Sequence, residues 1–250
     1  EYLYMKNFNI NYYFKDIDEN EIFYKNTNNK ENVMDIFFEK VKFLEKVNKQ
    51  IIKTNCNLDD VKIIGNVYID ENTIIESGSI IEGPVYIGKN CKVSYNSYIR
   101  PGTLIEDNCV IGFSTEVKNT IIRDGAKISD LAFVGDSIIG RNSRVGSGVI
   151  VSNRCFNQSN VTVKDELKNK YDLGREVMGI ILGDNSRIGA NCTTSPGTFI
   201  GMFTFIYPHT CIYGFIPSEK KVYDKKSMVF LDNEKQVLSK ACDWDYSKYN

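Results

Sequence analysis

The sequence predicts a mainly β protein built around a parallel β-helix. Aliphatic, β-branched residues recur at every sixth position from Ile63 to Val117, ten times without interruption. The residue two places before each of them is small or β-branched. An α-helix, with its period of about 3.6 residues, cannot place every sixth residue on one face. A six-residue unit that forms one side of a triangular coil can, so we expect three units to make one coil of a solenoid.

The repeat continues after small slips, at Ile122–Val151 and again at Leu182–Ile212. Because three units make a coil, residues eighteen apart are expected on neighbouring coils, about 4.8 Å apart. Cys91, Cys109 and Cys192 occupy small inward positions of the repeat. We therefore predict that these cysteines belong to the core and do not bind metal.

Three regions follow from the extent of the repeat. Residues 1–58 precede it and carry apolar residues at helical spacing over about 30–53, which predicts a helical segment. Residues 59–215 are the predicted β-helix. An insertion at about 155–179 breaks the repeat and is either a functional loop or a solvated spacer. Residues 216–250 form a short extension, for which we predict a terminal hairpin.

One outer face of the predicted helix is apolar. Strand alternation turns the residue before each core aliphatic outward. Tyr68, Tyr86 and Leu104 are eighteen apart, so they form an outward ladder. An apolar ladder of this size is usually covered. The cover is either a partner subunit or the N-terminal helical segment, and the sequence leaves both open.

The composition excludes several functional classes. The 250 residues carry a formal net charge of −1, which indicates neither a nucleic-acid nor a membrane surface. We find no long apolar run and no signal-peptide pattern, so we expect a cytoplasmic protein. Seven cysteines without a CxxC pair fit a reducing compartment. The one histidine, His209, is expected in a surface turn; one histidine is too few for a three-histidine zinc site, and no metal is expected.

Two cations mark a candidate binding face. Arg100 and Lys118 are eighteen apart, and each follows a core aliphatic, so they are expected one above the other. Two cations about 5 Å apart repel each other unless an anion lies between them. A phosphate-bearing ligand would supply that anion. Alternatively, Glu82 neutralises Arg100 and Glu116 neutralises Lys118, and spacing alone leaves both interpretations open.

Residues 98–153 carry a more specific pattern. They contain Y-I-R-P-G at 98–102, S-T-E-V-K-N at 114–119, G-A-K at 125–127, F-V-G-D at 133–136, V-G-S-G at 145–148 and S-N at 152–153. This block resembles the acetyltransferase domain of bifunctional N-acetylglucosamine-1-phosphate uridylyltransferase/glucosamine-1-phosphate acetyltransferases and their stand-alone relatives. The wider resemblance, over about 60–217, is to the hexapeptide-repeat acyltransferase superfamily. It implies a left-handed β-helix and a homotrimer.

The resemblance also implies a reaction and its residues. It implies acyl transfer, most simply acetyl transfer, from an acyl-CoA co-substrate to a sugar phosphate or nucleotide sugar, with the acyl-CoA in the cleft between adjacent subunits. The implied substrate-binding residues are Arg100, Lys118, Glu116, Phe133, Arg144 and Asn153, and the implied acyl-CoA-binding residues are Gly146, Ser147 and Ala190.

Three of the family's site residues differ in this chain. Asp130 stands where the family has its histidine base, Phe133 where it has a tyrosine, and Arg144 where it has an asparagine. Asp130 is therefore the candidate catalytic base, although an unperturbed aspartate, with a pKa of about 3.9, is a weaker base than histidine at about 6.5. A catalytically inactive, nucleotide-sugar-binding or regulatory relative is the alternative.

Overall fold

The computed structural model of the protein describes residues 8–15, 32–164 and 169–224. Within these ranges the strands form three parallel sheets that make the sides of a triangular solenoid. The chain passes from sheet 1 to sheet 2 to sheet 3 and back to sheet 1 in each coil. The β-helix predicted from the six-residue period is confirmed, and the architecture is consistent with the left-handed coil that the resemblance implies.

The strands are short, as expected for six-residue units. Sheet 1 contains β1 (Ile51–Ile52), β3 (Val67–Ile69), β6 (Val85–Ile87), β9 (Thr103–Ile105), β12 (Ile121–Ile122), β15 (Ile138–Ile139), β20 (Ile180–Leu182), β23 (Thr198–Ile200) and β26 (Phe215–Ile216). Sheet 2 contains β4 (Ile74–Ile75), β7 (Lys92–Val93), β10 (Val110–Ile111), β13 (Lys127–Ile128), β16 (Arg144–Val145), β21 (Arg187–Ile188), β24 (Phe205–Ile206) and β27 (Lys221–Val222). Sheet 3 contains β2 (Lys62–Ile64), β5 (Ile80–Glu82), β8 (Tyr98–Ile99), β11 (Glu116–Lys118), β14 (Phe133–Gly135), β17 (Ile150–Val151), β22 (Thr193–Thr194) and β25 (Cys211–Ile212).

The core lies inside the triangle. Ile81, Ile99 and Val117 are paired along sheet 3 and are fully buried. The predicted core role of the cysteines is confirmed, because Cys91 and Cys109, like Cys192, lie within the same buried cluster. Their thiols and neighbouring hydroxyls donate to corner carbonyls, so the small inward positions also satisfy the backbone.

The extent of the coils differs from the predicted bounds at both ends. The helix predicted over about 30–53 is shorter: α2 covers Asp35–Leu44, and Ile51–Ile52 is strand β1, paired with Tyr68–Ile69. Pairing at the open end of sheet 1 gives these residues hydrogen-bond partners that an isolated helix end would lack. At the other end, β26 and β27 continue the coils past residue 215 to Val222. The hairpin predicted for the C-terminal extension starts at Met228 and therefore lies outside the described residues.

The apolar ladder on sheet 1 is covered by this chain's own N-terminal segment. The ladder extends beyond the three predicted residues, through Ile121, Ile138, Ile181 and Phe199. Helix α1 (Ile10–Tyr13) and helix α2 pack on it in a second buried cluster. The ring centroids of Phe43 and Tyr86 lie 5.3 Å apart, and those of Phe8 and Phe199 lie 5.6 Å apart. Of the two covers considered, the N-terminal segment is the one seen.

The insertion at 155–179 folds back onto the same face. Strands β18 (Thr162–Lys164) and β19 (Lys170–Asp172) form an antiparallel hairpin. Val161, Val163 and Met178 are buried with the N-terminal segment against sheet 1. The solvated-spacer interpretation is therefore wrong for this part, because its apolar residues complete the cover.

A buried ion pair holds residues 13–15 at the corner between sheets 1 and 2. Arg123 donates to both carboxylate oxygens of Asp184, at 2.9 and 3.1 Å, and both side chains are buried. Asp184 also accepts from the backbone N–H groups of Lys15 and Arg141. Burial raises the pKa of Asp184, and Arg123 opposes that rise. Among the described residues, no helix is long and apolar enough to cross a membrane.

Candidate functional site

Arg100 and Lys118 lie where the sequence predicted them, on neighbouring coils of sheet 3. The Arg100 backbone N–H donates to the Val117 carbonyl, and Lys118 is paired with Gly135 on the next coil. Both side chains are about one-third exposed. Their anionic partners differ from the predicted ones. Arg100 donates to Glu116 at 2.7 Å.

Lys118 instead faces Asp136, with Nζ 3.6 Å from Oδ2. The carboxylate of Glu82 accepts a hydrogen bond from the Tyr98 hydroxyl and does not pair with Arg100. The hydrogen bond to Glu116 raises the pKa of Arg100. Among the described residues, the Arg100 Nη2 and the Lys118 Nζ form no hydrogen bond. Both cations therefore keep donors for an anion in front of sheet 3.

Phe133 and Asn153, two of the implied substrate-binding residues, also lie on this face. Both approach Gly135, which stands above Lys118 in the register. A Cβ on Gly135 would lie 2.9 Å from the Asn153 amide nitrogen and 3.0 Å from the Phe133 ring. The position therefore requires glycine, because the ring and the amide occupy the space of a side chain. Five of the six implied substrate-binding residues are thus brought together on sheet 3.

Asp136 is the centre of a polar network behind the cations. Its carboxylate is buried and accepts from the Asn119 amide at 2.6 Å and the Asn153 amide at 2.7 Å. Asn119 in turn accepts from Lys40 of helix α2, whose Nζ lies 2.9 Å from the Asn119 carbonyl oxygen. Burial lowers the pKa of Lys40 to about 7, and Asp136 opposes that lowering. The N-terminal helix is therefore connected by hydrogen bonds to the carboxylate that faces Lys118.

Asp130 lies elsewhere, at the corner between sheets 2 and 3. It is exposed, and its Oδ1 accepts from the Phe113 backbone N–H at 2.9 Å on the preceding coil. Asp107 makes the same contact at another corner, where its Oδ1 accepts from the Lys89 N–H at 2.7 Å. Asp130 and Lys118 stand at opposite ends of the sheet 3 strands. Asp130 thus couples two coils, as Asp107 does, in addition to any chemical role.

The implied acyl-CoA residues share the corner with Asp130. Equivalent places on three successive coils are occupied by Asp130, Ser147 and Ala190. The Gly148 N–H donates to the Asp130 carbonyl, and the Asn191 N–H donates to the Ser147 carbonyl, so hydrogen bonds join these coils. Gly146 is explained by coil packing, since a Cβ there would lie 2.7 Å from the Ala190 nitrogen. The backbone of this corner is therefore close-packed between coils.

Arg144 is the implied substrate residue that the structure separates from the others. It lies on sheet 2, exposed, between Lys127 and Arg187 in the register. His209 is exposed at a corner of the last coils, where it was expected. In the ranges the structure describes, no group of three or more His, Cys, Asp or Glu side chains is arranged to hold a metal ion.

The sequence interpretation missed Asp136, Asn119 and Lys40 as site residues. The sequence contains a signal for Asp136 and Asn119, because the spacing of the repeat changes at this place. On sheet 3, Val117 pairs with Ile99 eighteen residues before it and with Val134 seventeen residues after it, and the corner after Lys118 is one residue shorter than the corner after Arg100. Lys40 comes from outside the repeat, and no periodicity relates it to the site.

The chain matches known families in two stretches. Residues 81–171 match the model described as the GMPPB C-terminal domain, and residues 176–201 match the hexapeptide repeat of succinyl-transferase. An Escherichia coli protein named as the uncharacterized acetyltransferase YaiX is 33% identical over 179 residues, covering 68% of this chain and 77% of that protein. The chain belongs to the hexapeptide-repeat acetyltransferase family.

A second relative is a longer protein. The bifunctional sugar-1-phosphate nucleotidylyltransferase/acetyltransferase of Sulfurisphaera tokodaii is 43% identical over 150 residues. The match covers 60% of this chain but only 37% of that protein. Among solved structures, the UDP-N-acetylglucosamine acyltransferase from Campylobacter jejuni aligns with 15% identity and a TM-score of 0.38, over 65% of this chain and 68% of that one.

Proposed function

We propose that the protein transfers an acetyl group from acetyl-CoA to a sugar phosphate or nucleotide sugar whose phosphate binds at Arg100 and Lys118. The observation that carries the proposal is the pair of cations on neighbouring coils, each with N–H groups that form no hydrogen bond to a described residue. Charge-assisted hydrogen bonds from such donors suit phosphate oxygens. Family membership supports acyl transfer, and the name of the bifunctional relative couples acetyl transfer to sugar 1-phosphates.

Asp136 supports this function by holding Lys118 in place. Because the carboxylate is buried and receives two amide hydrogen bonds, its position is fixed before a ligand arrives. Glu116 orients Arg100 through the hydrogen bond that it accepts from the guanidinium. The acceptor's phosphate then replaces water in front of two cations that are already oriented.

The transfer step needs a proton acceptor. The acceptor's nitrogen or oxygen attacks the thioester carbonyl carbon, the carbon–sulfur bond breaks, and the lost proton ends on the CoA thiol. Asp130 is the proposed base because of its place in the family pattern. Its hydrogen bond with the Phe113 N–H means that removing the carboxylate also perturbs the coil.

The matched variants Asp130→Asn and Asp107→Asn separate these two effects. Both keep an oxygen that accepts the coil-to-coil hydrogen bond, and only the first removes the proposed base. Release of free thiol from acetyl-CoA is measured with amino-sugar phosphates, nucleotide amino sugars and their unphosphorylated counterparts. We expect turnover with phosphorylated acceptors, a loss of about 100-fold or more in Asp130→Asn, and wild-type turnover in Asp107→Asn. An absence of thiol release with every acceptor contradicts the proposed activity.

A second candidate is a nucleotide-sugar-binding protein without catalysis. It is favoured by the exposed carboxylate of Asp130 and by its structural likeness to Asp107. In that case nucleotide sugars raise the melting temperature, acetyl-CoA does not, and no thiol appears. A melting-temperature rise with acetyl-CoA alone argues against this candidate.

We also propose that the protein assembles as a homotrimer. Sheets 2 and 3 expose apolar side chains, including Ile74 at 49% and Ile150 at 44%. Exposed apolar patches commonly mark association surfaces. Light scattering is expected to give about three times the chain mass of 28.5 kDa, whereas the mass of one chain refutes the trimer.

A further inference from the structure

Sheet 2 carries a second group of cations that the proposed acceptor site does not use. Lys127, Arg144 and Arg187 are register partners on three successive coils. By the usual strand spacing they are about 4.8 Å apart. Because the insertion separates Arg144 from Arg187 by 43 residues, the sequence period alone does not bring these two together. The fold does.

These three cations lack the carboxylate partners that Lys92 and Lys89 have on neighbouring coils. Lys92 lies 2.9 Å from Glu76 and Lys89 lies 3.1 Å from Glu71, in each case across neighbouring coils. Among the described residues, the side chains of Lys127, Arg144 and Arg187 form no salt bridge or hydrogen bond. Like charges stacked at this spacing repel unless an anion is shared between them.

The next coil adds an aromatic ring to the column. Phe205 pairs with Arg187 in the register and is 41% exposed. The Arg187 guanidinium lies over its ring, 5.9 Å from the centroid. An exposed ring beside a basic strip is the arrangement on which nucleobases stack. From Lys127 to Phe205 the column spans three strand spacings, about 14 Å.

We propose that this column binds a nucleoside diphosphate moiety, with the diphosphate on Arg144 and its two cationic neighbours and the base on Phe205. The two sources of this chemistry are the nucleotide portion of CoA and a nucleotide sugar. The proposal deepens the proposed function, on which the choice of ligands rests. It names a binding site on sheet 2 that is separate from Arg100 and Lys118 on sheet 3.

The test is calorimetric titration of the whole protein with ADP, UDP and inorganic pyrophosphate at low salt. Arg144→Gln is expected to weaken all three by roughly tenfold, the loss of a charged hydrogen bond. Phe205→Leu is expected to weaken the nucleotides by roughly fivefold and to leave pyrophosphate unchanged. The control is Lys92→Gln, which changes an ion-paired cation of the same sheet 2 column and is expected to leave every affinity unchanged.

Competition with CoA and with a UDP-sugar distinguishes the two sources. Displacement of ADP by CoA alone assigns the column to the acyl donor, and displacement by the UDP-sugar alone assigns it to the acceptor; each supports the site. Equal affinities in Arg144→Gln and Lys92→Gln overturn the proposal. The proposal is also overturned if the wild-type protein binds none of the probes and Arg144→Gln changes the mass of the assembly, because the column is then a contact between subunits. Lys118→Met is used to separate failure of the proposed function from failure of this site. If this variant has no turnover but still binds ADP, the sheet 2 site is independent of the acceptor site on sheet 3.

Discussion

The buried lysine of helix α2 gives a pH dependence of stability that one substitution removes. Lys40 is 3% exposed and donates to Asn119. Burial lowers the pKa of Lys40 to about 7, whereas an unfolded lysine titrates at about 10.4. Between these two values the unfolded chain holds one proton more than the folded protein at this residue.

The size of the effect follows from proton linkage. Stability rises with pH wherever the unfolded state binds more protons, by at most about 1.4 kcal/mol per pH unit for one proton. We therefore expect Lys40 to contribute a rise of about 1 kcal/mol per unit between about pH 7.5 and pH 9. Below about pH 7 the cost of burying the amine is present in full. Lys40→Met removes the titrating group and hence this rise.

Urea denaturation of the wild-type protein and variants across this pH range measures the slope. The matched control is Lys42→Met on the same helix, because Lys42 is exposed and, within the described part of the chain, pairs only with Glu39. We expect the control to keep the wild-type slope and Lys40→Met to lose it. If Lys40→Met and Lys42→Met show the same slope as the wild-type protein, the buried amine is not the source and the reasoning is refuted.

Two further substitutions test the cover and its anchor. Phe199 lies on the covered sheet 1 ladder, so Phe199→Ala is expected to lower the free energy of unfolding by about 3–5 kcal/mol. Phe205 is exposed on sheet 2, so Phe205→Ala is expected to lower it by less than about 1 kcal/mol. Equal losses for the two variants in urea denaturation would contradict the assigned cover. Asp184→Ala is expected to cost about 3–5 kcal/mol because it removes the buried carboxylate to which Arg123 donates two hydrogen bonds. Faster hydrogen exchange at residues 13–15 is expected with it, and unchanged exchange there would show that Asp184 does not hold the N-terminal segment.

The period predicted the coils because side-chain alternation and strand length act locally. Side-chain alternation along the short strands turns Ile99 and Val117 inward, as it does at every sixth position of the repeat. The same alternation turns Arg100 and Lys118 outward, one above the other on neighbouring coils. The ends of the coils were less predictable. Ile51 and Ile52 fit the apolar spacing of a helix, yet pairing with sheet 1 makes them a strand.

The rest of the site depends on contacts that no period encodes. Lys40 reaches Asn119 only because helix α2 packs on the apolar ladder of sheet 1. The register of sheet 2 puts Arg187 beside Arg144 although the insertion lies between them in the sequence. Asp130 was assigned by its place in a family pattern, and its contact with the Phe113 N–H became visible only in three dimensions. Long-range packing thus decided what the local pattern left open.

The most direct measurement of the central claim is the dependence of acetyl transfer on the acceptor's phosphate. The kcat/KM for labelled acetyl transfer is determined for a phosphorylated acceptor and for its unphosphorylated counterpart, in the wild-type protein and in Lys118→Met. Loss of a charge-assisted hydrogen bond is expected to lower the value for the phosphorylated acceptor by about 10- to 100-fold. The value for the unphosphorylated acceptor is expected to stay the same in both proteins. An equal kcat/KM for the phosphorylated acceptor in the wild-type protein and Lys118→Met would contradict a phosphate-binding role for the cations of sheet 3.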